Sequence, residues 1–273
     1  MVVASADPEV PTRRRGEYRV AGEEPLEIRL GTVTSEPTAV NVTMRTPGDD
    51  FELAVGWCVT EGLIPQPVAL HEVKYCVKSP SAGDVAVAQE YNVVSVVARH
   101  VHGGSRRTQV TSSSCGICGT ESLEALELRT PTIVASAGPT ITAEFLVRLP
   151  GLLRGGQKTF EETGGTHAAG LIRADGTVFV IREDVGRHNA VDKVIGHTAI
   201  AGGLPLDAHV LMVSGRVSFE IVQKAAMAGI AVLAAVSAPT TLAVDAADRM
   251  GITLATFVRG DTATIWTHPH RVT

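Results

Sequence analysis

The sequence predicts an α/β fold in two parts, a small α+β unit at the N-terminus followed by a three-layer α/β unit. Three observations carry this expectation. Alternating apolar and polar runs dominate the first half around a single helix-like segment. Two continuous apolar runs in the second half, AHVLMV and IAVLAAV, suit parallel strands covered on both faces. Helix-period segments follow each of them, the strand-helix alternation of a layered sheet. A length of 273 residues is nearly two domains' worth of chain, and 44% hydrophobic residues exclude intrinsic disorder. There is no collagen-like period and no repeat.

Residues 1–16 carry proline and charge without periodicity and read as a flexible tail. The small unit is expected over 17–129, with β-rich runs at Thr38–Arg45, Leu70–Val77 and Asp84–His100. Its helix, Asp50–Gly62, is entered through the turn Thr46-Pro47-Gly48-Asp49. Phe51, Leu53, Ala54, Trp57 and Cys58 recur there at helical spacing, which makes Cys58 a core residue. Cys76, on an alternating strand, reads the same way. The second unit, 130–273, opens with a hairpin of Ala168–Arg173 and Thr177–Arg182 about Asp175-Gly176. Helix His188–Ala201, strand His209–Val213, helix Ser218–Ala228, strand Ile230–Val236 and helix Thr240–Met250 follow, then the strand pair Thr253–Val258 and Thr262–Thr267.

The net charge of −5 argues against a general nucleic-acid binder, since such proteins are basic and stack bases on aromatic rings, here only 4% of residues. Residues 1–150 hold 13 Lys/Arg against 18 Asp/Glu, and 151–273 hold 11 of each. No apolar run is long enough to span a membrane, and no secretory or twin-arginine signal follows Arg13-Arg14-Arg15. The expected setting is cytoplasmic, with four reduced cysteines, too few for a disulfide scaffold.

Two of those cysteines, Cys115 and Cys118, form a C-x-x-C. The segment from Arg99 to Thr120 has three arginines, two histidines and no carboxylate. It is rich in Gly and Ser and runs into a helix-like segment, Glu121–Leu128. Cations and helix N–H groups stabilise thiolate over thiol, so both thiols are expected to have depressed pKa values. A structural zinc site would need two further ligands at suitable spacing, which Cys58 and Cys76 do not offer. Disulfide exchange and sulfur carriage as a persulfide both remain open from the chemistry alone.

Three further segments point to a ligand. In Phe160-Glu-Glu-Thr-Gly-Gly-Thr-His, the glycines Gly164 and Gly165 permit close backbone approach, and His167 follows. In Arg182-Glu-Asp-Val-Gly-Arg-His, Arg187 and His188 stand at a helix start, where anions are favoured. Helix capping is the alternative to a ligand role for Glu183 and Asp184, and the favoured one for Asp184, and Asp192 and Lys193 are expected to point away from the apolar stripe of Val191, Val194 and Ile195. In Met212-Val-Ser-Gly-Arg-Val-Ser, a strand ends at Ser214-Gly215-Arg216 and a helix begins at Ser218, the position where open α/β sheets bind phosphates. Neither a P-loop nor a G-x-G-x-x-G is present.

These motifs resemble the FdhD family of formate dehydrogenase accessory sulfurtransferases. The resemblance rests on SSSCGICGTES (112–122), FEETGGTHAAGL (160–171), REDVGRHNAVDKVIG (182–196), SGRVSFEIVQKAAMAGI (214–230), the SAPTTLAV and GITLATFVRG segments, and RTPGDDFELAVGWCVTEGLI (45–64). It covers nearly the whole chain beyond the tail. It implies a carrier that takes sulfur from a cysteine desulfurase as a persulfide on Cys115, with Cys118 as its partner. The sulfur passes to the metal, molybdenum or tungsten, of the bis-molybdopterin guanine dinucleotide cofactor used by formate dehydrogenase. The family's cofactor-binding segment corresponds to Phe257, Val258, Arg259, Gly260, Asp261 and Thr262. The turns at Gly164, Gly165, His167, Arg187, Ser214, Gly215 and Arg216 are then expected to help hold the cofactor. The resemblance also implies a homodimer, no permanent metal and a cytidine-deaminase-like second domain. Deaminase chemistry itself needs H-x-E and P-C-x-x-C; none of the nine histidines has Glu two positions later, and Ser114 precedes Cys115. A non-catalytic chaperone that only binds and delivers the cofactor is the alternative.

Overall fold

The computed structural model describes residues 17–65, 68–76, 92–102 and 138–273, together with the backbone of 2–3, 14–15 and 109–111. Cys115, Cys118, the 121–128 segment and the boundary near 130 lie outside the described residues, as do 84–91 of the third expected β-run. Two short strands, β1 (Val2–Val3) and β2 (Arg14–Arg15), pair antiparallel.

The first half builds a five-stranded sheet from β3 (Glu24–Thr32), β4 (Ser35–Arg45), β5 (Leu70–Tyr75), β6 (Val93–Ala98) and β7 (Gln109–Thr111), in the order β5-β6-β3-β4-β7. Strand β3 was not anticipated, although Leu26, Ile28 and Leu30 alternate inward along it. Helix α1 (Asp50–Thr60) follows β4 through a turn in which Gly48 and Asp49 both take positive φ, at 107° and 55°. As expected, Cys58 is wholly buried, and burial drives its thiol pKa far above the ordinary range. Cys76 is half-buried, its Sγ 2.8 Å from Ser95 Oγ.

The second half builds a six-stranded mixed sheet ordered β13-β12-β11-β10-β8-β9. Its members are β8 (His167–Arg173), β9 (Val178–Asp184), β10 (His209–Val213), β11 (Val232–Ala235), β12 (Thr253–Arg259) and β13 (Thr262–Thr267). The two continuous apolar runs form β10 and β11, which pair in parallel and are buried throughout, and β12 adds a third parallel strand. Helix α2 (Ala143–Arg154) covers one face, its Phe145, Leu146, Leu149 and Leu153 packing on Ile172, Val210 and Met212. The other face carries α4 (Arg187–Ile200), α5 (Phe219–Met227) and α6 (Thr241–Arg249). Between β8 and α2 comes the short α3 (Lys158–Thr163).

One continuous apolar core runs from the second sheet through α4 and α1 to Leu26, Ile28, Val94 and Val96 of the first sheet. Helices α1 and α4 cross at two glycines: a methyl group on Gly56 would collide with the Asp192 carbonyl, and one on Gly196 with the Glu52 carbonyl. That crossing corrects the expectation for Asp192 and Lys193. Both are 1% exposed, because α4 is covered on more than one side and has no solvent face at those positions. Lys193 meets Asp184 at 2.8 Å and donates to the carbonyls of Thr46 and Glu183. Asp192 accepts from Lys224 and Thr60. No helix among the described residues is long and apolar enough to cross a membrane.

Candidate functional site

Because β10, β11 and β12 run in parallel, their carboxyl ends open on one side of the molecule, the position where α/β sheets take ligands. A cleft of about 680 Å³ lies there, within the range of small-molecule sites. It is walled by α2 and α3 on one side and by Gly164 to His167, Ser214 and Val236 on the other.

Local chemistry fixes each wall. Thr142 caps α2 by accepting from the Phe145 N–H. Helix α3 has no side-chain cap of its own; Glu183 supplies one from β9, accepting from the Thr159 and Phe160 N–H groups and from Thr166 Oγ1, each at 2.7 Å. That carboxylate therefore pins α3 to the hairpin. Gly164 ends α3 in the left-handed conformation, φ 66°, which a side chain would disfavour, and its N–H returns to the Phe160 carbonyl. Ser214 Oγ accepts from the Ala168 N–H, while the Ser214 N–H donates to the Ala168 carbonyl, locking the end of β10 against β8.

Of the residues expected to bind a ligand, Gly164, Gly165, His167 and Ser214 line this cleft. Gly215 and Arg187 adjoin them: a methyl group on Gly215 would stand 3.3 Å from Arg187 Cβ and 3.4 Å from His167 Nδ1. Arg216 is exposed beside them, and its charge reaches His167. Phe257 to Thr262 do not line the cleft. They lie one strand along, tied to its rim where the Phe257 N–H donates to the carbonyl of Ser237, the residue after Val236. Phe257 takes a strained positive φ of 53°, and Gly260 turns the β12–β13 connection at φ 54°.

The electrostatics favour an anion. None of the described lining residues is a carboxylate. Burial lowers the pKa of His167, and Arg187, His188 and Arg216 lower it further, against a weaker opposing pull from Asp184. Arg187 Nε is enclosed with no hydrogen-bond partner among the described residues. Asp184 accepts from the Gly186 and Asn189 N–H groups and from the Thr46 N–H, so it shapes the turn that presents Arg187. Ser218 stands at the N-cap of α5 without a capping bond; its Oγ instead meets His188 Nε2 at 3.1 Å. Glu220 meets the same nitrogen at 2.7 Å, so Ser218, His188 and Glu220 lack the two-sided geometry of a nucleophilic triad. No group of three or more His, Cys, Asp or Glu among the described residues is arranged to hold a metal.

Pro150, Arg154, Gln157 and Phe160, which no local motif marks in the sequence, form the α2–α3 wall. The Arg154 guanidinium lies 4.6 Å from the centre of the Phe160 ring. Helix α2 carries a legible signal, a Thr142 cap before apolar residues at helical spacing.

The FdhD/NarQ family matches residues 21–273. The chain belongs to the FdhD/NarQ family. Among its relatives, the sulfur carrier protein FdhD of Mycolicibacterium paratuberculosis is 48% identical over 97% of this chain and 99% of its own length. The protein of that name from Mycobacterium tuberculosis is 46% identical over 93% of this chain and 91% of its own length. The one from Thermoplasma volcanium is 40% identical over 94% and 90%. A solved structure from Desulfotalea psychrophila, provisionally described as a formate dehydrogenase accessory protein, matches the fold with a TM-score of 0.75. The two chains are 22% identical, and the match covers 100% of this chain and 97% of that one.

Proposed function

We propose that this chain carries sulfur for a formate dehydrogenase. In the first step the Cys115 thiolate attacks the sulfane sulfur of a persulfide on a cysteine desulfurase; the donor's S–S bond breaks, its thiolate leaves, and Cys115 becomes the persulfide. In the second, the Cys118 thiolate attacks the Cys115 sulfur, the persulfide S–S bond breaks as a Cys115–Cys118 disulfide forms, and the outer sulfur leaves as sulfide to the metal of the bis-molybdopterin guanine dinucleotide, molybdenum or tungsten, which is cargo and not a resident group; a thiol reductant then restores the two thiols. Cys118 is the partner thiol. The cofactor's phosphates lie in the cleft at the carboxyl end of the second sheet, with Arg187, Arg216 and His167 around them and Phe257 to Thr262 alongside. A homodimer in the cytoplasm, with residues 130–273 as the cofactor-binding domain, completes the proposal.

The observation that carries it is the cleft with no carboxylate among its described lining residues and Arg187 Nε enclosed beside it with no hydrogen-bond partner among the described residues. An enclosed guanidinium N–H without a partner is costly and suits an anion, which its half-buried head can reach. The family's named sulfur carriers and the C-x-x-C support the transfer step.

Incubation with a cysteine desulfurase and cysteine should add a labile sulfur to the tryptic peptide holding Cys115, read by mass spectrometry. The Cys115→Ala variant should fail to restore formate dehydrogenase activity in a deletion strain. Full complementation by the Cys115→Ala/Cys118→Ala double variant would leave only cofactor delivery, a reading that the cationic cleft also suits because it needs no thiol.

A further inference from the structure

At the end of β10 remote from Ser214 stands a buried imidazole that neither the cleft nor the sulfur chemistry uses. Leu211 and Val213 join the core on the α4 side of the sheet, so the alternation of β10 sends His209 to that side as well. His209 is 9% exposed, and both of its ring nitrogens are enclosed without a hydrogen-bond partner among the described residues. A neutral imidazole carries one N–H donor and one acceptor, so leaving both unmet is costly, and a charged ring in the same place costs more. Burial is the largest force against a proton on this ring. Arg173, its register partner on β8, adds to it, and Asp207, in the approach to β10, opposes it more weakly. From α4 comes His197, whose Nδ1 is engaged with Glu52 of α1 and faces Arg182 of β9.

Phe179 lies against the His209 ring, with centres 5.2 Å apart and planes tilted by 55°. It is itself 40% exposed, so the cover of this buried group stands at the surface. A β-bulge places it there. Leu171 faces Val180 and Ile172 faces Val178, which leaves Phe179 as the extra residue of β9, opposite no residue of β8. A bulged residue is unpaired in the ladder and aims its side chain independently of it. Its remaining ring contacts are loose ones, the His197 ring at 5.8 Å and the Arg173 guanidinium at 5.8 Å. We propose that Phe179 and His209 form an acid-sensitive latch on the β8–β9 hairpin: the neutral imidazole is shut beneath the Phe179 ring, and taking up a proton from solvent turns that ring outward so that the imidazolium reaches water. The open form binds the proton more tightly than the closed one, so acidification through the ordinary histidine value of 6.5 favours opening, by at most about tenfold per pH unit. The latch lies at the opposite end of β10 from the cleft and is independent of what the cleft binds.

Hydrogen exchange of the full chain, read by mass spectrometry from pH 5.5 to 7.5 and corrected for the intrinsic amide rate, measures the opening. The wild-type opening constant over residues 172–181 should rise below pH 6.5, approaching about tenfold per unit, while that of α6 stays flat. His209→Leu should abolish the rise, and Phe179→Ala, which uncovers the ring, should move the His209 midpoint in an NMR titration upward toward 6.5. A flat wild-type profile, which needs no variant to record, would overturn the latch. A rise shared equally by α6 would do the same, since the event would then be global unfolding. So would a folded His209→Leu chain that keeps the wild-type slope, or a His209 midpoint that Phe179→Ala leaves unmoved.

Discussion

His167 is held neutral by the same neighbours that make the cleft attractive to an anion. Burial and the charges of Arg187, His188 and Arg216 all push its pKa below the ordinary histidine value of 6.5. An anion seated among these groups reverses that field, so binding should draw a proton onto the imidazole. Affinity for a diphosphate should then rise as pH falls below neutrality, and His167→Gln should flatten that rise across pH 5 to 8 by titration calorimetry. Without ligand, the sign runs the other way. A histidine with a lowered folded-state pKa binds more protons unfolded than folded, so it costs nothing well above 6.5 and destabilises the fold as pH drops through that value. Arg187→Gln should raise the His167 pKa, because it removes a cation that depresses it; an NMR titration of the imidazole would show the shift. An unchanged midpoint would mean that Arg187 does not act on His167.

Helix pairing depends on backbone contact where α1 crosses α4. With Gly56 and Gly196 facing the opposite helix's carbonyls, neither position has room for a Cβ. Gly196→Ala must therefore push the helices apart or distort one of them, at a cost of about 2 kcal/mol or more by urea unfolding. Unchanged stability would show that the crossing is loose. The elements themselves were largely legible before folding was considered. Helices at Arg187–Ile200, Phe219–Met227 and Thr241–Arg249 each lie within a residue or two of expectation, because a clear apolar face follows a Ser, Thr or Gly break. Helix α2 escaped because Pro150, Gly151 and Gly155 sit in or just past it and read as loop. Six-residue α3 is too short for periodicity to reveal, and its cap, Glu183, comes from a distant strand. The positions of Asp192 and Lys193 were misread for a related reason. An apolar stripe locates one packed face, but it says nothing about a second neighbour arriving from α1.

Across the whole molecule, charged side chains bind the two sheets' layers together inside the core. Arg182 on β9 reaches Glu52 on α1, and Lys224 on α5 reaches both Asp192 on α4 and Thr60 on α1. The site is assembled at this scale too, which sets how much of it the sequence could disclose. Gly164, Gly165, His167 and Ser214 were recognisable because glycine turns and strand ends announce themselves locally. Gln157 and Phe160 were not, since nothing beside them in sequence says which strand ends they will face. The Lys224 cluster offers the sharpest test of the layered assembly. Burial opposes the charge on Lys224, but Asp192 and Glu61 beside it outweigh that and raise its pKa, so the ammonium stays charged. Removing it as Lys224→Met leaves Asp192 with the Thr60 hydroxyl as its remaining hydrogen-bond donor among the described residues and takes the cation from Glu61 as well, and should cost about 3–5 kcal/mol in urea unfolding. Replacing both partners, as Lys224→Met/Asp192→Leu, removes the stranded charge as well and should recover much of that loss, because an apolar pair of similar volume needs no compensation. A double variant as unstable as the single one would mean that Lys224 contributes through packing of its stem and not through the charge it brings to the junction of the sheets.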